Sequence, residues 1–269
     1  MRSSIDLKYS NLRQMIEGME SVIVAFSGGV DSSLVAYVTH DVLGSDNMLA
    51  ITSGSSSLKH DDLVLARSLA QKWGMPHREI VTKEMELPGY RANPANRCYF
   101  CKSTLYTDLE TIRAEKGFKQ VVNGTNLDDL GDHRPGLLAA DERSVRGPLA
   151  DAGFTKSDIR ALAAQLGLDN ADKPQAACLS SRVPYGTAID EDILSRIERA
   201  ESVLSRLGFN QFRVRHHGDV ARIELPADDF EAALAKREEI VSRINNCGYT
   251  FVALDLGGFK SGSMNALLK

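Results

Sequence analysis

The first two thirds of the chain consist of short apolar runs that alternate with longer segments of helical periodicity. The apolar runs, which are typical of buried parallel strands, lie at residues 22–26, 48–52, 79–81 and 120–124. The helical segments are 32–43, 58–73, 97–116 and 159–166, the last preceded by the capping sequence Thr155-Lys-Ser-Asp158. This alternation predicts a parallel twisted sheet with helices on both faces, an α/β fold.

Two stretches interrupt the alternation. Residues 87–96 contain Pro and Gly and have no clear period. Residues 125–148 are predicted as a long polar loop around Gly131, Pro135 and Gly136. Loops of that length within a compact domain are usually functional or disordered.

The pattern changes after about residue 185. A helix is predicted from Asp190 to Leu207, with acidic residues in its first turn and Gly208 as its stop. Two strands flanking residues 216–219 predict a hairpin, followed by a helix over 228–244 and a strand over 250–256. We therefore expect one domain over 1–185 and a small C-terminal α+β module over 186–269 that binds substrate or forms an oligomer contact.

Length and charge restrict the class of protein. The chain has 269 residues, enough for two domains, and a net charge of -4. The acidic balance argues against a nucleic-acid partner. No run of 18 apolar residues predicts a membrane helix, and residues 1–8 show no signal-peptide pattern, so we expect a cytoplasmic protein without a membrane partner.

One short segment carries the strongest functional signal, Ser27-Gly28-Gly29-Val30-Asp31-Ser32-Ser33. It links a predicted strand to a helix N-terminus, where free N–H groups and the helix dipole favour phosphate. The hydroxyls of Ser27, Ser32 and Ser33 would add contacts, and Asp31 would hold Mg²⁺ or cap the helix. The segment has neither the Walker A lysine nor the dinucleotide glycine spacing.

This segment resembles the pyrophosphate loop of the PP-loop ATP pyrophosphatases, which cleave ATP to AMP and pyrophosphate. In an open α/β sheet, ligands lie beyond the carboxyl ends of the strands. Ser53, at the end of the second strand, is therefore expected near the adenine. At the end of the strand over 120–124, Gly124 is expected near ATP, Asp129 and Asp132 are candidate Mg²⁺ ligands, and Arg134 is a candidate phosphate contact.

The four cysteines are expected to be thiols or metal ligands, because no export signal accompanies them. Cys98 and Cys101 form a C-x-x-C pair that suits a redox site or half of a zinc site, or occurs by chance. Cys178, close to Arg182, is either a reactive thiolate or a buried structural thiol. Cys247 is expected to be structural.

Five further motifs occur in one order along nearly the whole chain, and with the loop they resemble the LarE-type ATP-dependent sulfur transferases of nickel-pincer nucleotide biosynthesis. They are Gly124 to Gly136, Cys178 to Gly186, Phe212 to Arg215, Ala221 to Glu224, and Gly258 to Asn265. Only the loop is common to all PP-loop proteins, so the other motifs make the resemblance specific.

The resemblance implies that ATP and Mg²⁺ adenylate a carboxylate of pyridinium-3,5-biscarboxylic acid mononucleotide, a small-molecule nucleotide substrate, and that sulfur then displaces AMP. It further implies that Cys98, Cys101 and Cys178 bind a 4Fe–4S cluster whose fourth iron carries the transferred sulfide. Two alternatives remain open. Three cysteines and a water could bind zinc, or Cys178 could sacrifice its own sulfur and become dehydroalanine.

The same resemblance assigns roles in the C-terminal part. Contacts to substrate phosphate are implied for Ser181, Arg182, Arg213 and Arg215, although surface strand arginines would show the same spacing. Glu201 and Glu224 are implied as ligands of a metal at a subunit interface, in a hexamer built from trimers. Rival functions are a PP-loop tRNA thiolase, an amide-forming ligase of the NAD synthetase type and a non-enzymatic nucleotide sensor.

Overall fold

The computed structural model describes residues 4–131, 135–174 and 177–260. The helices are α1 Ser4–Glu17, α2 Val30–Leu43, α3 His60–Lys72, α4 Pro88–Arg91, α5 Arg97–Lys116, α6 Pro135–Glu142, α7 Pro148–Asp151, α8 Lys156–Gln165, α9 Glu191–Arg206, α10 Phe230–Ala235 and α11 Arg237–Asn245. The strands are β1 Val22–Ala25, β2 Met48–Ser53, β3 His77–Ile80, β4 Gln120–Val122, β5 Arg213–His217, β6 Val220–Glu224 and β7 Phe251–Leu254. Within these ranges no helix is both long enough and apolar enough to cross a membrane.

The chain divides into two compact units. The first comprises residues 1–84 and 96–176, and the second comprises 85–95 and 177–269. Residues 85–95 join the second unit because the Asn93 side chain donates to the carbonyls of Val183 and Pro184, and the Asn93 carbonyl accepts from the Gly186 N–H. The domain boundary at residue 185 stays a prediction.

The first unit contains a four-stranded parallel sheet in the order β3-β2-β1-β4. Successive side chains of β1 enter different cores, as the strand's period of two requires. Val22 and Val24 pack with residues of α1, α2 and α8, whereas Ile23 packs with residues of α5 and α6. Helices therefore cover both faces of the sheet, which confirms the predicted α/β class.

Besides the four-residue α7, two helices of this unit were not predicted. One is α1, whose Leu12 and Ile16 are buried. The other is α6, which lies inside residues 125–148, so the prediction of one long loop there was wrong. Pro135 is the first residue of α6, a position that suits proline because the first turn needs no N–H donor, and Ala139 and Ala140 are buried.

The second unit contains a three-stranded sheet in the order β5-β6-β7. The β5–β6 pair is antiparallel, which confirms the predicted hairpin, and β7 pairs parallel with β6. The helix predicted over 228–244 is divided between α10 and α11 at Lys236, whose ammonium group donates to the Leu207 carbonyl. The core of this unit lies between the sheet and α9, α10 and α11.

Candidate functional site

The segment between β1 and α2 forms a tight turn at the carboxyl edge of the parallel sheet. Gly28 adopts a left-handed conformation, with φ at +71°, and a Cβ there would lie 3.2 Å from the backbone of Ala66. Both the conformation and the close approach favour glycine. The turn ends in the N-terminus of α2, where the first N–H groups have no acceptor within the helix. These groups are available to an anion.

The three serines predicted to contact phosphate lie in the turn or in the first turn of α2. Ser32 Oγ donates to the Gly29 carbonyl and lies 3.1 Å from Ser27 Oγ. The Gly29 N–H makes only a long contact, 3.4 Å, with Ser27 Oγ. Ser33 Oγ is instead held from outside the loop by the Asn170 side-chain amide, 2.8 Å away. The loop thus has a frame ordered by its serine hydroxyls and a weakly engaged Gly29 N–H, which suits a phosphate oxygen.

Asp31, in the first turn of α2, has two differently placed carboxylate oxygens. Oδ2 forms an ion pair with the ammonium group of Lys156, the first residue of α8. Oδ1 is buried and has no hydrogen-bond partner within the described part of the chain. A buried carboxylate oxygen without a partner is unfavourable, and such an oxygen is a suitable ligand for a hard divalent cation. Asp31 therefore fits a Mg²⁺ site.

Gly124 brings the end of β4 against the pyrophosphate loop. A Cβ on Gly124 would lie 2.6 Å from the Ser32 backbone nitrogen and 2.9 Å from the Asp31 carbonyl carbon, so no side chain fits. Asp129 follows in a short 3₁₀ turn and accepts from the Asn126 N–H at 3.1 Å. The predicted residues Asp132 and Arg134 lie outside the described residues.

Ser53 lies at the end of β2, on the same edge of the sheet. Its hydroxyl is 2.6 Å from that of Thr82, which donates to the fully buried carboxylate of Glu84. The structure therefore gathers Ser53, Gly124, Asp129 and the loop residues at the carboxyl ends of the parallel strands, where ligands of such sheets bind.

In the second unit, two of the predicted anion contacts are already paired with glutamates. Arg182 forms a two-pronged ion pair with Glu201, at 2.8 and 3.2 Å, and Arg215 forms one with Glu224, at 2.9 Å for both bonds. All four side chains are at least 97% buried. Arg182 also donates to Ser181 Oγ and to the carbonyl of Cys178. The interface-metal role of Glu201 and Glu224 stays a prediction.

Arg213 differs from the other two arginines. Its guanidinium donates to the Lys260 carbonyl and lies 4.6 Å from the centre of the Phe259 ring, and it pairs with no carboxylate in the part of the chain that the structure describes. Burial lowers the pKa of Arg213, and the positive charges of Arg215 and Arg182 lower it further. A bound anion would offset this charge repulsion, and phosphate contact by Arg213 stays a prediction.

The four cysteines have unequal access to solvent, and none forms a disulfide. Cys98 is exposed, Cys101 and Cys178 are partly buried, and Cys247 is buried. Burial raises the pKa of the Cys247 thiol, as expected for a structural residue. Cys98 and Cys101 lie three residues apart in the first two turns of α5 and so share one helix face.

The three candidate sulfur ligands do not all belong to one unit. Cys98 and Cys101 lie in the first unit, and Cys178 precedes a 3₁₀ turn in the second. Over residues 4–131, 135–174 and 177–260, no group of three or more His, Cys, Asp or Glu side chains is arranged as a metal site. Three accessible thiols nevertheless have the donor chemistry of an iron–sulfur site.

Comparisons with known proteins place the chain among relatives of similar length. Residues 7–89 match the NAD synthase family. The chain is 45% identical to an uncharacterized protein of Synechocystis sp., over 98% of the chain and 99% of that protein. It is 37% identical to the pyridinium-3,5-bisthiocarboxylic acid mononucleotide synthase of Lactiplantibacillus plantarum, over 99% of the chain and 96% of the synthase. The chain belongs to the LarE family. A tRNA-specific 2-thiouridylase of Rickettsia massiliae is more distant, 28% identical over 74% of the chain and 64% of that protein.

Two residues that sequence reasoning did not assign to the site contact the pyrophosphate loop of this LarE-family chain. Lys156 was part of the predicted cap of α8, but its contact with Asp31 spans 125 positions. Asn170 carries no local signal, and its contact with Gly28 spans 142 positions. Neither could be found from spacing, because only the tertiary fold brings α8 and residue 170 to the loop.

Proposed function

We propose that this LarE-family chain is an ATP-dependent sulfurtransferase of nickel-pincer nucleotide biosynthesis. It would convert a carboxylate of pyridinium-3,5-biscarboxylic acid mononucleotide to a thiocarboxylate. The full-length match to a synthase of the bisthiocarboxylic acid mononucleotide carries the proposal. The open pyrophosphate loop and the unpartnered Asp31 oxygen support its use of Mg²⁺ and ATP.

The first half-reaction activates the carboxylate. A substrate carboxylate oxygen attacks the α-phosphorus of ATP and pyrophosphate leaves, giving an acyl adenylate. The N–H groups at the start of α2 and the hydroxyls of Ser27, Ser32 and Ser33 would hold the charge of the departing pyrophosphate. Asp31 and Asp129 would hold Mg²⁺, which neutralises phosphate charge.

The second half-reaction replaces AMP by sulfur. A hydrosulfide-level sulfur attacks the acyl carbon, AMP leaves with the former carboxylate oxygen, and the thiocarboxylate loses the sulfur's proton to solvent. Cys98, Cys101 and Cys178 would hold a 4Fe–4S cluster, which supplies an iron that carries the transferred sulfide. Two rounds on one substrate yield the bisthiocarboxylate.

The second unit would recognise the substrate's own phosphate. Arg213 would supply a cation that pairs with no carboxylate among the described residues, while the glutamates fix Arg182 and Arg215 in place beside Ser181. We further propose that the chain works in the cytoplasm as a trimer-based hexamer, with Glu201 and Glu224 at an interface metal.

The test uses anaerobically purified protein, Mg²⁺, ATP and pyridinium-3,5-biscarboxylic acid mononucleotide. We expect AMP, pyrophosphate and, by mass spectrometry, a product in which sulfur has replaced an oxygen. Iron and acid-labile sulfide should each reach about four per chain. Absence of pyrophosphate with this substrate would contradict the proposal.

Cysteine variants separate the two half-reactions. Cys98→Ala, Cys101→Ala and Cys178→Ala should abolish the thiocarboxylate and reduce bound iron, but should still release pyrophosphate. Cys247→Ala is the matched control, because this buried thiol should take no part. Iron-free protein whose Cys178 becomes dehydroalanine during turnover would replace the cluster by a sacrificial cysteine.

A tRNA thiolase is the second candidate, because the Rickettsia massiliae 2-thiouridylase matches 74% of the chain. In a gel-shift titration with bulk tRNA we expect no specific complex at physiological salt. A salt-resistant complex with ATP-dependent tRNA thiolation would favour the thiolase instead.

A further inference from the structure

Asn170 lies in a turn after α8 and reaches the pyrophosphate loop with its side-chain amide. Its Nδ2 donates to the Gly28 carbonyl at 2.9 Å and to Ser33 Oγ at 2.8 Å. The residue is 3% exposed, and its buried Oδ1 has no partner among residues 4–131, 135–174 and 177–260. Leaving an acceptor unpaired in the interior is unfavourable. An amide at this position is therefore explained by its two donated bonds rather than by packing.

The bond to Gly28 has a direct consequence for the neighbouring N–H group. The Gly28 carbonyl and the Gly29 N–H belong to one planar trans peptide and point in opposite directions. Holding the carbonyl toward Asn170 turns the Gly29 N–H away from it. That N–H has only the 3.4 Å contact with Ser27 Oγ. The Gly29 N–H is therefore available to a ligand rather than firmly bonded within the loop.

The turn that carries Asn170 is itself anchored on the first unit. The Arg160 guanidinium, on α8, donates to the carbonyls of Ala171 and Lys173, and the Lys173 ammonium pairs with Asp62 of α3 at 2.6 Å. These bonds limit the movement of residues 171–173. The amide of Asn170 therefore holds a fixed position beside Gly28 and Gly29.

We propose that Asn170 is a positioning residue for the pyrophosphate of ATP. It orients the Gly29 N–H toward a phosphate oxygen through the Gly28 carbonyl, and its second bond, to the fully buried Ser33 hydroxyl, fixes the amide against the start of α2. This inference rests on the proposed use of ATP by the loop. It concerns phosphate binding only, because Asn170 touches none of the residues expected near the adenine.

The test compares two probes, inorganic pyrophosphate with Mg²⁺ and adenosine, by isothermal titration on the full chain. Asn170→Asp keeps the shape but places a carboxylate oxygen against the Gly28 carbonyl. We expect pyrophosphate binding and the KM for ATP to worsen about tenfold, as loss of two hydrogen bonds allows, with adenosine binding unchanged and kcat less affected. Asn170→Ser, a smaller change, should give the same selective loss.

Thr39→Val is the matched control. Thr39 lies on α2, is fully buried, and its hydroxyl has no partner, so its loss should leave both affinities as in the wild type. Wild-type pyrophosphate binding in a folded Asn170 variant would overturn the inference. Parallel loss of both probes together with a lower melting temperature would overturn it too, since that pattern indicates general loosening.

Failure of the proposed function gives a different result. A wild-type chain that binds pyrophosphate but forms no thiocarboxylate would refute the sulfurtransferase proposal and leave the role of Asn170 standing. A wild-type chain that binds neither ATP nor pyrophosphate would refute both.

Discussion

The two units contain candidate anion sites of different kinds. In the first unit, the pyrophosphate loop relies on backbone N–H groups and serine hydroxyls around Gly28 and Gly29, and its charged residue, Asp31, is negative. In the second unit, three arginines are buried with two glutamates, which leaves one formal positive charge, carried by Arg213. One site depends on backbone conformation and the other on compensated charge.

This difference determines which substitutions each site tolerates. A backbone site is sensitive to any atom that displaces the chain, but insensitive to distant charges. A compensated charge cluster is sensitive to loss of any one partner, because the remaining ion is left buried without compensation. Substitutions can therefore test the contrast directly.

The largest effect is expected from neutralising one buried carboxylate. Glu224→Gln preserves the side-chain shape but leaves the buried Arg215 charge uncompensated. We expect the free energy of unfolding to fall by about 3–5 kcal/mol, measured by urea unfolding at pH 7.

A surface pair with nearly the same geometry provides the control. Arg67 and Glu79 form a two-pronged pair at 2.8 and 2.9 Å, with side chains 56% and 33% exposed. Glu79→Gln should lower the free energy of unfolding by less than about 1 kcal/mol. Equal losses in the two variants would show that burial does not decide the strength of these pairs.

Gly124→Ala tests the backbone site. The added Cβ would lie 2.6 Å from the Ser32 nitrogen, so β4 or the loop must move. Since small displacements of a binding group have large effects, we expect kcat/KM for ATP to fall about 100-fold. Gly18→Ala is the control, because its Cβ would meet nothing closer than 3.5 Å. Unchanged kcat/KM in Gly124→Ala would mean that the loop need not keep this geometry.

The same contrast explains how far the sequence predicts this molecule. The pyrophosphate loop consists of seven consecutive residues, so its place between β1 and α2 could be predicted. The spacing of Arg213 and Arg215 correctly placed both on β5. Their glutamate partnerships were not predictable, because Glu201 lies on α9 and Glu224 on β6, and pairing depends on how these elements pack. The contact of Asn170 with the loop was not predictable for the same reason.

Helix α6 shows a different limit. Pro135 and Gly136 are typical of loops, but proline also begins helices. The burial of Ala139 and Ala140 against the sheet decides in favour of the helix. Local helix propensity could not decide between a loop and a helix here, because the helix is stabilised mainly by tertiary packing.

The smallest effect concerns a partly exposed pair at the start of α8, the helix that brings Lys156 to Asp31. Asp158 completes a capping box with Thr155, and the Lys8 ammonium, followed by the Thr155 N–H, lowers the pKa of Asp158 to about 2. Because the folded state favours the charged carboxylate, its contribution is complete above the unfolded pKa of about 4 and is lost as pH falls toward 2.

Asp158→Asn keeps the hydrogen-bond acceptor of the cap and removes the charge. We expect it to lower the free energy of unfolding by about 0.5–1 kcal/mol at pH 7, and this difference from the wild type should narrow between pH 4 and pH 3 in urea titrations. In a Lys8→Met background the same substitution should have a smaller effect, since the main cause of the pKa shift is gone. A difference that stays constant down to pH 3 would assign the cap to neutral hydrogen bonds, and charge would then matter for folding only where it is buried, as at Arg215 and Glu224.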